Sequence, residues 1–305
     1  MRSVAFGTIS AVLVSLMWGF SFVAAQAALS VLSPVILATV RFGIASLIFA
    51  PVIAVEFYRG NHPNHRQLME FAFLGFISIS IYFVLQYTGV NYAGAGISAL
   101  LAVGLVPIIT GMSSVFFLHE NYGIRRVSGT LLGFAGVALA IAPGLFVKKI
   151  DWYFYLGVVC LMLNAACWAL YSTLSRRLMK GASKPLLTAS YVTILGTLLL
   201  IPMSATSDWS AVKNLRIEHW LGILYLALGC TCAAYFLWNF SLSKIEAVRV
   251  TVWQYLEPLA AFIGAAVIFS TFPAATTVAG GGAIIAGALL TNWPRKNATL
   301  PKSGA

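Results

Sequence analysis

The feature that most constrains this chain is a succession of long apolar runs carrying almost no ionised residues. Residues 186–204 and 274–293 hold no charged side chain, and residues 247–269 hold only Arg249 near one end and Glu257 inside. Each reaches or approaches the ~20 residues that carry a helix across ~30 Å of hydrocarbon. The chain is 60% hydrophobic and 9% charged, against roughly 25% charged residues in a soluble domain. Such a chain cannot cover itself with a wettable surface, and the solvent for most of it is lipid. Hydropathy divides it into ten spans at about residues 5–26, 34–57, 68–87, 93–118, 127–142, 152–174, 186–204, 220–242, 247–269 and 274–293.

The net charge of +11 does not indicate a nucleic-acid partner, because the cations form no single patch of the kind such binding needs. They sit in short tethers between the spans. Alternating the spans across a bilayer puts Arg2, Arg59, Arg66, Arg125, Arg126, Arg176, Arg177, Lys180, Lys184, Lys244, Arg249, Arg295, Lys296 and Lys302 on one side. The other side receives Lys148, Lys149, Lys213 and Arg216, and Arg41 is left inside a span. By the positive-inside rule the first side is the cytoplasm, which places both termini there. Arg2 and the small residues Ala25 and Ala27 resemble parts of a cleaved signal, but a signal core is only ~7–15 residues long. The first run is therefore read as a retained span. Trp152, Tyr153, Trp220 and Trp293 fall near span ends, where an interfacial aromatic belt belongs.

The sequence also repeats. A shift of 151 positions brings Pro34 onto Pro185, Pro51 onto Pro202, Pro107 onto Pro258, Gly129 onto Gly280 and Gly136 onto Gly287. Small slips add Trp18 with Trp168 and Tyr82-Phe83 with Tyr235-Phe236. This gives a five-span repeat over residues 1–147, a second over 148–294, and a tail over 295–305. An odd number of spans per repeat forces the halves into opposite orientations. The expected fold is therefore an all-α integral membrane protein of ten transmembrane helices in two inverted five-helix repeats. Inverted repeats are a transporter device, with a solute site near the midplane between bundles that rock against each other.

The residues around these landmarks carry a family resemblance. Trp18-Gly19-Phe20-Ser21-Phe22, Pro34 leading to Arg41-Phe42, and Pro107 followed by Glu120 resemble the first half of EamA-type members of the drug/metabolite transporter superfamily. Tyr255-Leu256-Glu257-Pro258 and the later Gly280-Gly281-Gly282 and Gly287 are similar to the second half. Thr271 stands where the repeat of Glu120 would fall, and Val192 where that of Arg41 would, so a mechanism built on symmetric charges is not implied. The resemblance implies ten helices around a solute cavity, export of small metabolites with amino acids prominent, as in YddG-type exporters, and a bacterial inner-membrane location. The expected partners are a small-molecule substrate and the lipid bilayer; ten spans can work as a monomer.

Polar side chains are costly inside a span and usually face a cavity or a neighbouring helix. Helical spacing puts Asn164, Trp168, Tyr171 and Ser175 on one face of span six. Span eight offers Thr231, Tyr235, Trp238 and Asn239, span three Ser78, Tyr82 and Gln86, and span nine Trp253, Gln254 and Glu257. Aromatic walls with amide and hydroxyl handles suit a zwitterion or ammonium group; the same residues could also be packing. Glu257 falls about 15 Å into its span, near the midplane. It reads either as a protonatable coupling site or ammonium anchor, or as a local partner for backbone freed by Pro258. Arg41 is expected to snorkel toward an interface rather than bind a substrate carboxylate. Pro107 and Pro258 are expected to make matched hinges, since proline removes a helical hydrogen bond. Glu120 beside His119 reads as an ion-pair or capping residue.

Enzyme chemistry would need clustered His, Asp or Glu, yet His62, His65, His119 and His219 lie in loops or at helix ends. Cys160, Cys167, Cys230 and Cys232 fall inside spans without metal or redox spacing. No metal or cofactor is expected. Export of a cationic drug is the alternative reading, with Glu257 as its carboxylate.

Overall fold

In the computed structural model, residues 2–93, 95–142, 151–181, 183–269 and 274–293 are described. Lys148, Lys149, Thr271 and the tail 295–305 lie outside them. The described residues are helical and contain no strand. In chain order the long helical stretches are α1 (Arg2–Leu29), α2 (Pro34–Tyr58), α3 (His65–Ala93), α4 (95–118), α5 (Ile124–Ile141), α6 (Trp152–Lys180), α7 (Pro185–Ser204), α8 (Ile217–Lys244), α9 (247–269) and α10 (Ala275–Asn292), with a short 3-10 helix at Trp209–Asn214 between α7 and α8. Among the described residues nine of these, all but α9, contain a segment long and apolar enough to cross a membrane.

Short-range chemistry sets the helix starts. Pro34 and Pro185 occupy the first turn of α2 and α7, where a missing N–H costs nothing. Asn64 Oδ1 accepts from Gln67 N–H at 2.9 Å and Gln67 Oε1 accepts from Asn64 N–H at 3.0 Å, a reciprocal cap for α3. Asp151 accepts the N–H of Phe154 at 3.0 Å and starts α6. Several helices outrun their apolar spans: α6, expected to end near residue 174, continues to Lys180. Hydropathy marks the hydrocarbon layer, whereas the i→i−4 ladder continues into the polar layer beyond it.

The outward faces are apolar, with Leu47, Met112, Phe116 and Val278 all strongly exposed, while Ser15, Ser80, Thr110, Asn164 and Thr193 are buried. Lipid is as apolar as leucine, so helices associate through close packing of small residues and hydrogen bonds rather than hydrophobic transfer. The α5–α10 crossing shows this. A Cβ on Gly129 would fall 2.7 Å from Gly287 O, and one on Gly280 2.5 Å from Gly136 O. Position 129 thus meets 287 while 136 meets 280.

The remaining contacts follow one pattern. Helix α6 packs against α3 and α4, and α1 packs against α8 and α9; α2 lies along α7, while α3 meets α7 and α2 meets α8. Several helices contain irregular turns. Helix α3 contains a π-helical turn at Phe76–Ser80 and α8 one at Tyr225–Ala233. Helix α4 has a π turn at Ala99–Val103 and is interrupted at residues 104–105, just before Pro107. Helix α9 tightens to 3-10 at Val252–Tyr255, just before Pro258. The Tyr255 hydroxyl donates to Gly104 O at 3.1 Å and Thr130 O at 3.2 Å, so one interruption is stitched to the other. Ser46 Oγ donates to Thr197 Oγ1 at 2.9 Å, again between positions 151 apart.

Candidate functional site

The centre of the bundle is an aromatic cluster. The Trp18 ring lies 5.2 Å from that of Trp168 and 5.1 Å from that of Trp238. Trp168 is 5.5 Å from Tyr82, 4.9 Å from Tyr171 and 5.8 Å from Tyr235. Helices α1, α3, α6 and α8 each supply at least one ring. Edge and tilted contacts dominate, as the ring quadrupoles favour. Of the expected face of α6, Asn164, Trp168, Tyr171 and Ser175 are all buried.

Polar handles thread this cluster. Trp168 Nε1–H donates to Gln254 Oε1 at 3.1 Å, and Gln254 Nε2–H donates to Glu257 Oε1 at 3.0 Å. Glu257 is 6% exposed, and no cation pairs with it among the described residues. Asn239 Nδ2–H donates to the Tyr171 hydroxyl at 2.9 Å, Trp238 Nε1–H to Ser172 Oγ at 3.3 Å, and Asn164 Nδ2–H to Tyr82 O at 2.8 Å. Trp253 Nε1, Asn164 Oδ1 and Asn239 Oδ1 are buried without a hydrogen-bond partner among the described residues. Buried polar atoms are nearly always satisfied, so these mark capacity that the fold itself does not use.

Some expected site residues stand apart from this network. The Ser78 hydroxyl turns back to Leu74 O at 2.7 Å, although its carbonyl accepts from Tyr235 at 3.4 Å. Gln86 is half-buried and its side chain makes no hydrogen bond within the described residues. Trp18, Phe42 and Phe83 belong to the cluster and were not among the expected site residues. For Trp18 the signal was present, because the repeat aligns it with Trp168.

Arg41 departs from its expected course. It does not run along α2 to an interface but turns inward across α8. Its Nε–H donates to Thr231 Oγ1 at 2.8 Å and its Nη2–H to Cys230 O at 3.2 Å, with Phe42 and Phe83 rings 5.0 and 5.6 Å from Cζ. Those local acceptors and ring faces hold the guanidinium inside and offset part of its desolvation, but none of them carries a neutralising charge. Cys230 O also accepts from Trp18 Nε1–H at 3.0 Å, which ties Arg41 to the aromatic cluster.

The end of the bundle where α4, α6 and α8 finish and α5, α9 begin is built differently. Glu120, 7% exposed, accepts from Arg176 Nε at 3.2 Å, lies 3.4 Å from Lys180 Nζ, and accepts from the Ala247 N–H at 3.1 Å. Arg176 also donates to Leu242 O. Arg126 pairs with Glu246, and Arg249 lies 3.9 Å from the same carboxylate. Four helices are tied together here, and charge is matched to charge. At the same end a cleft of about 390 Å³ opens between α3 and α6, lined by Arg66, Glu70, Phe73 and Arg177 among others. It includes none of the central aromatic residues. Among the described residues no group of three His, Cys, Asp or Glu is placed to hold a metal ion.

Comparison with known proteins agrees with this architecture. The model of the EamA-like transporter family matches the chain twice, over residues 5–142 and 155–293. An uncharacterized transporter of Archaeoglobus fulgidus is 26% identical over 270 residues, covering 88% of this chain and 92% of its own. The uncharacterized transporter YyaM of Bacillus subtilis is 27% identical, covering 82% of this chain and 81% of its own. A solved crystal structure superposes with a TM-score of 0.77 at 18% identity, over 93% of this chain and 95% of that one; at that identity it supports the fold. Relatives and family alike are transporters rather than enzymes, and the chain belongs to the EamA-like transporter family.

Proposed function

We propose that this protein exports small metabolites, chiefly amino acids, across a bacterial inner membrane, as an exporter of the YddG type. It works by alternating access around the aromatic centre. The observation that carries this reading is the chain Trp168–Gln254–Glu257. It holds a buried carboxylate, with no cation paired to it among the described residues, beside a cluster of indole and phenol rings. An ammonium group is the ligand such a site lacks, since a ring face and a carboxylate both attract it.

Ten spans in two inverted repeats, with both termini cytoplasmic, account for several observations together. Adding five to each helix number turns α6 on α3 and α4 into α1 on α8 and α9, and α5–α10 and α2–α7 are self-paired. The hydrogen bonds Ser46–Thr197 and Tyr255–Gly104 each join positions 151 apart, and one family model matches both halves. The cationic end is cytoplasmic by the positive-inside rule. Ion pairs around Glu120 then hold that end closed, and the interruptions before Pro107 and Pro258 are the hinges about which the halves move. A single chain contains both repeats and acts as a monomer.

The test is efflux from liposomes holding the purified protein and labelled amino acids, with and without a pH gradient. Saturable efflux inhibited by unlabelled amino acid supports the reading, and its response to the gradient shows whether protons are coupled. Folded protein that moves no amino acid contradicts it and favours a cationic drug as the alternative substrate, with Glu257 as the anchor.

A further inference from the structure

Every other partly buried arginine near an acid in this fold is paired. Arg126 and Arg249 share Glu246, and Arg176 binds Glu120. Among the described residues Arg41 has no carboxylate partner: its acceptors are a hydroxyl and a carbonyl, Thr231 Oγ1 and Cys230 O. Those two contacts engage Nε and Nη2, and Nη1 makes no hydrogen bond among the described residues. A guanidinium presents five N–H donors in a planar fork suited to a carboxylate. A cation inside a span without a counter-ion is expensive, and neither hydroxyl nor carbonyl neutralises it.

The position of this unspent cation is as informative as its chemistry. Arg41 and Trp18 donate to one carbonyl, that of Cys230, so the guanidinium borders the aromatic cluster on the α2–α8 side. Glu257 borders the same cluster through Gln254 and Trp168. An unpaired cation and an unpaired acid thus flank one cage of rings, from helices α2 and α9. In the second half the equivalent of Arg41 is Val192, fully buried and apolar, so the site has one cationic side only.

We propose that Arg41 is the specificity-determining residue of the central site. It recognises a carboxylate on the transported molecule and makes the protein select zwitterions over simple cations. This inference rests on the export reading above and extends it. With only Glu257 and the rings, amines and amino acids would be accepted alike. With Arg41 engaged, a molecule lacking the anionic group leaves the guanidinium unneutralised and loses a charge-assisted, two-pronged contact.

The experiment is counterflow in proteoliposomes with labelled leucine, competed by unlabelled leucine, by leucinamide, and by 3-methylbutylamine. The last two keep the ammonium group and alkyl chain but lack the carboxylate. The expected result in the wild-type protein is competition by leucine at least about tenfold stronger than by either analogue, the discrimination a lost bidentate contact produces. In Arg41→Gln leucine should lose that advantage while competition by the two amines persists; Arg41→Lys should fall between. Equal competition by all three in the wild-type protein overturns the proposal without recourse to any variant. So does an Arg41→Gln protein that keeps the wild-type ranking, or one that loses leucine and amines in the same proportion, as a purely structural arginine would. A folded wild-type protein with no leucine counterflow overturns the export reading itself, and the proposal with it; counterflow with unchanged ranking overturns the proposal alone.

Discussion

Two buried carboxylates, Glu120 and Glu257, are almost equally hidden from solvent and are treated in opposite ways. Glu120 is surrounded by two cations and a backbone N–H from two other helices, α6 and α9. Glu257 is met by one neutral amide. Removing one member of a buried ion pair strands its partner, whereas removing a charge that has no partner strands nothing. Burial alone therefore does not separate a structural acid from a functional one; the neighbours do. The same contrast divides Arg176, paired at the charged end, from Arg41, unpaired at the centre.

The comparison can be broken most directly at Glu120. Glu120→Ala leaves Arg176 without its carboxylate and should cost about 3–5 kcal/mol, read as a large fall in melting temperature and in yield of folded protein. An unchanged melting temperature would show that the charged end is not held by this network. A smaller loss is expected for Tyr255→Phe. It removes the donor to Gly104 O and Thr130 O and should destabilise by about 1–3 kcal/mol. Slower transport without loss of folded protein is the expectation for Pro107→Ala and Pro258→Ala, by roughly a few-fold, because hinges set rate rather than fold. Full activity in both would remove the hinges from the account. The smallest effect belongs to Ser46→Ala, which breaks a single neutral hydrogen bond and should cost less than about 1 kcal/mol in chemical denaturation.

Periodicity made part of this site readable in advance. Asn164, Trp168, Tyr171 and Ser175 recur at helical spacing, so their common burial follows from one helix considered alone. Pro107 and Pro258 announced the interruptions of α4 and α9 because proline acts on its own helix. What was not readable depends on a second element. The inward turn of Arg41 requires acceptors at Cys230 and Thr231, in the π-helical turn of α8, and no pattern within α2 encodes it. Glu120 was recognisable as a pairing residue, but its partners come from α6 and the start of α9. Gln86 shared the spacing of Ser78 and Tyr82 without joining the hydrogen-bond network, because spacing along one helix does not say whether a neighbouring helix offers a partner.

The central claim is that the charges left unpaired at the centre serve the solute and those paired at the end serve the fold. Glu257→Gln, assayed in one preparation for melting temperature and for amino-acid counterflow, tests it most directly. A glutamine can still accept from Gln254, so stability should stay within about 1 kcal/mol of wild type. Counterflow should fall roughly tenfold or more with the loss of a charge-assisted contact. A protein that transports as before, or that loses its fold together with its transport, would place Glu257 with Glu120 among the structural acids and contradict the account.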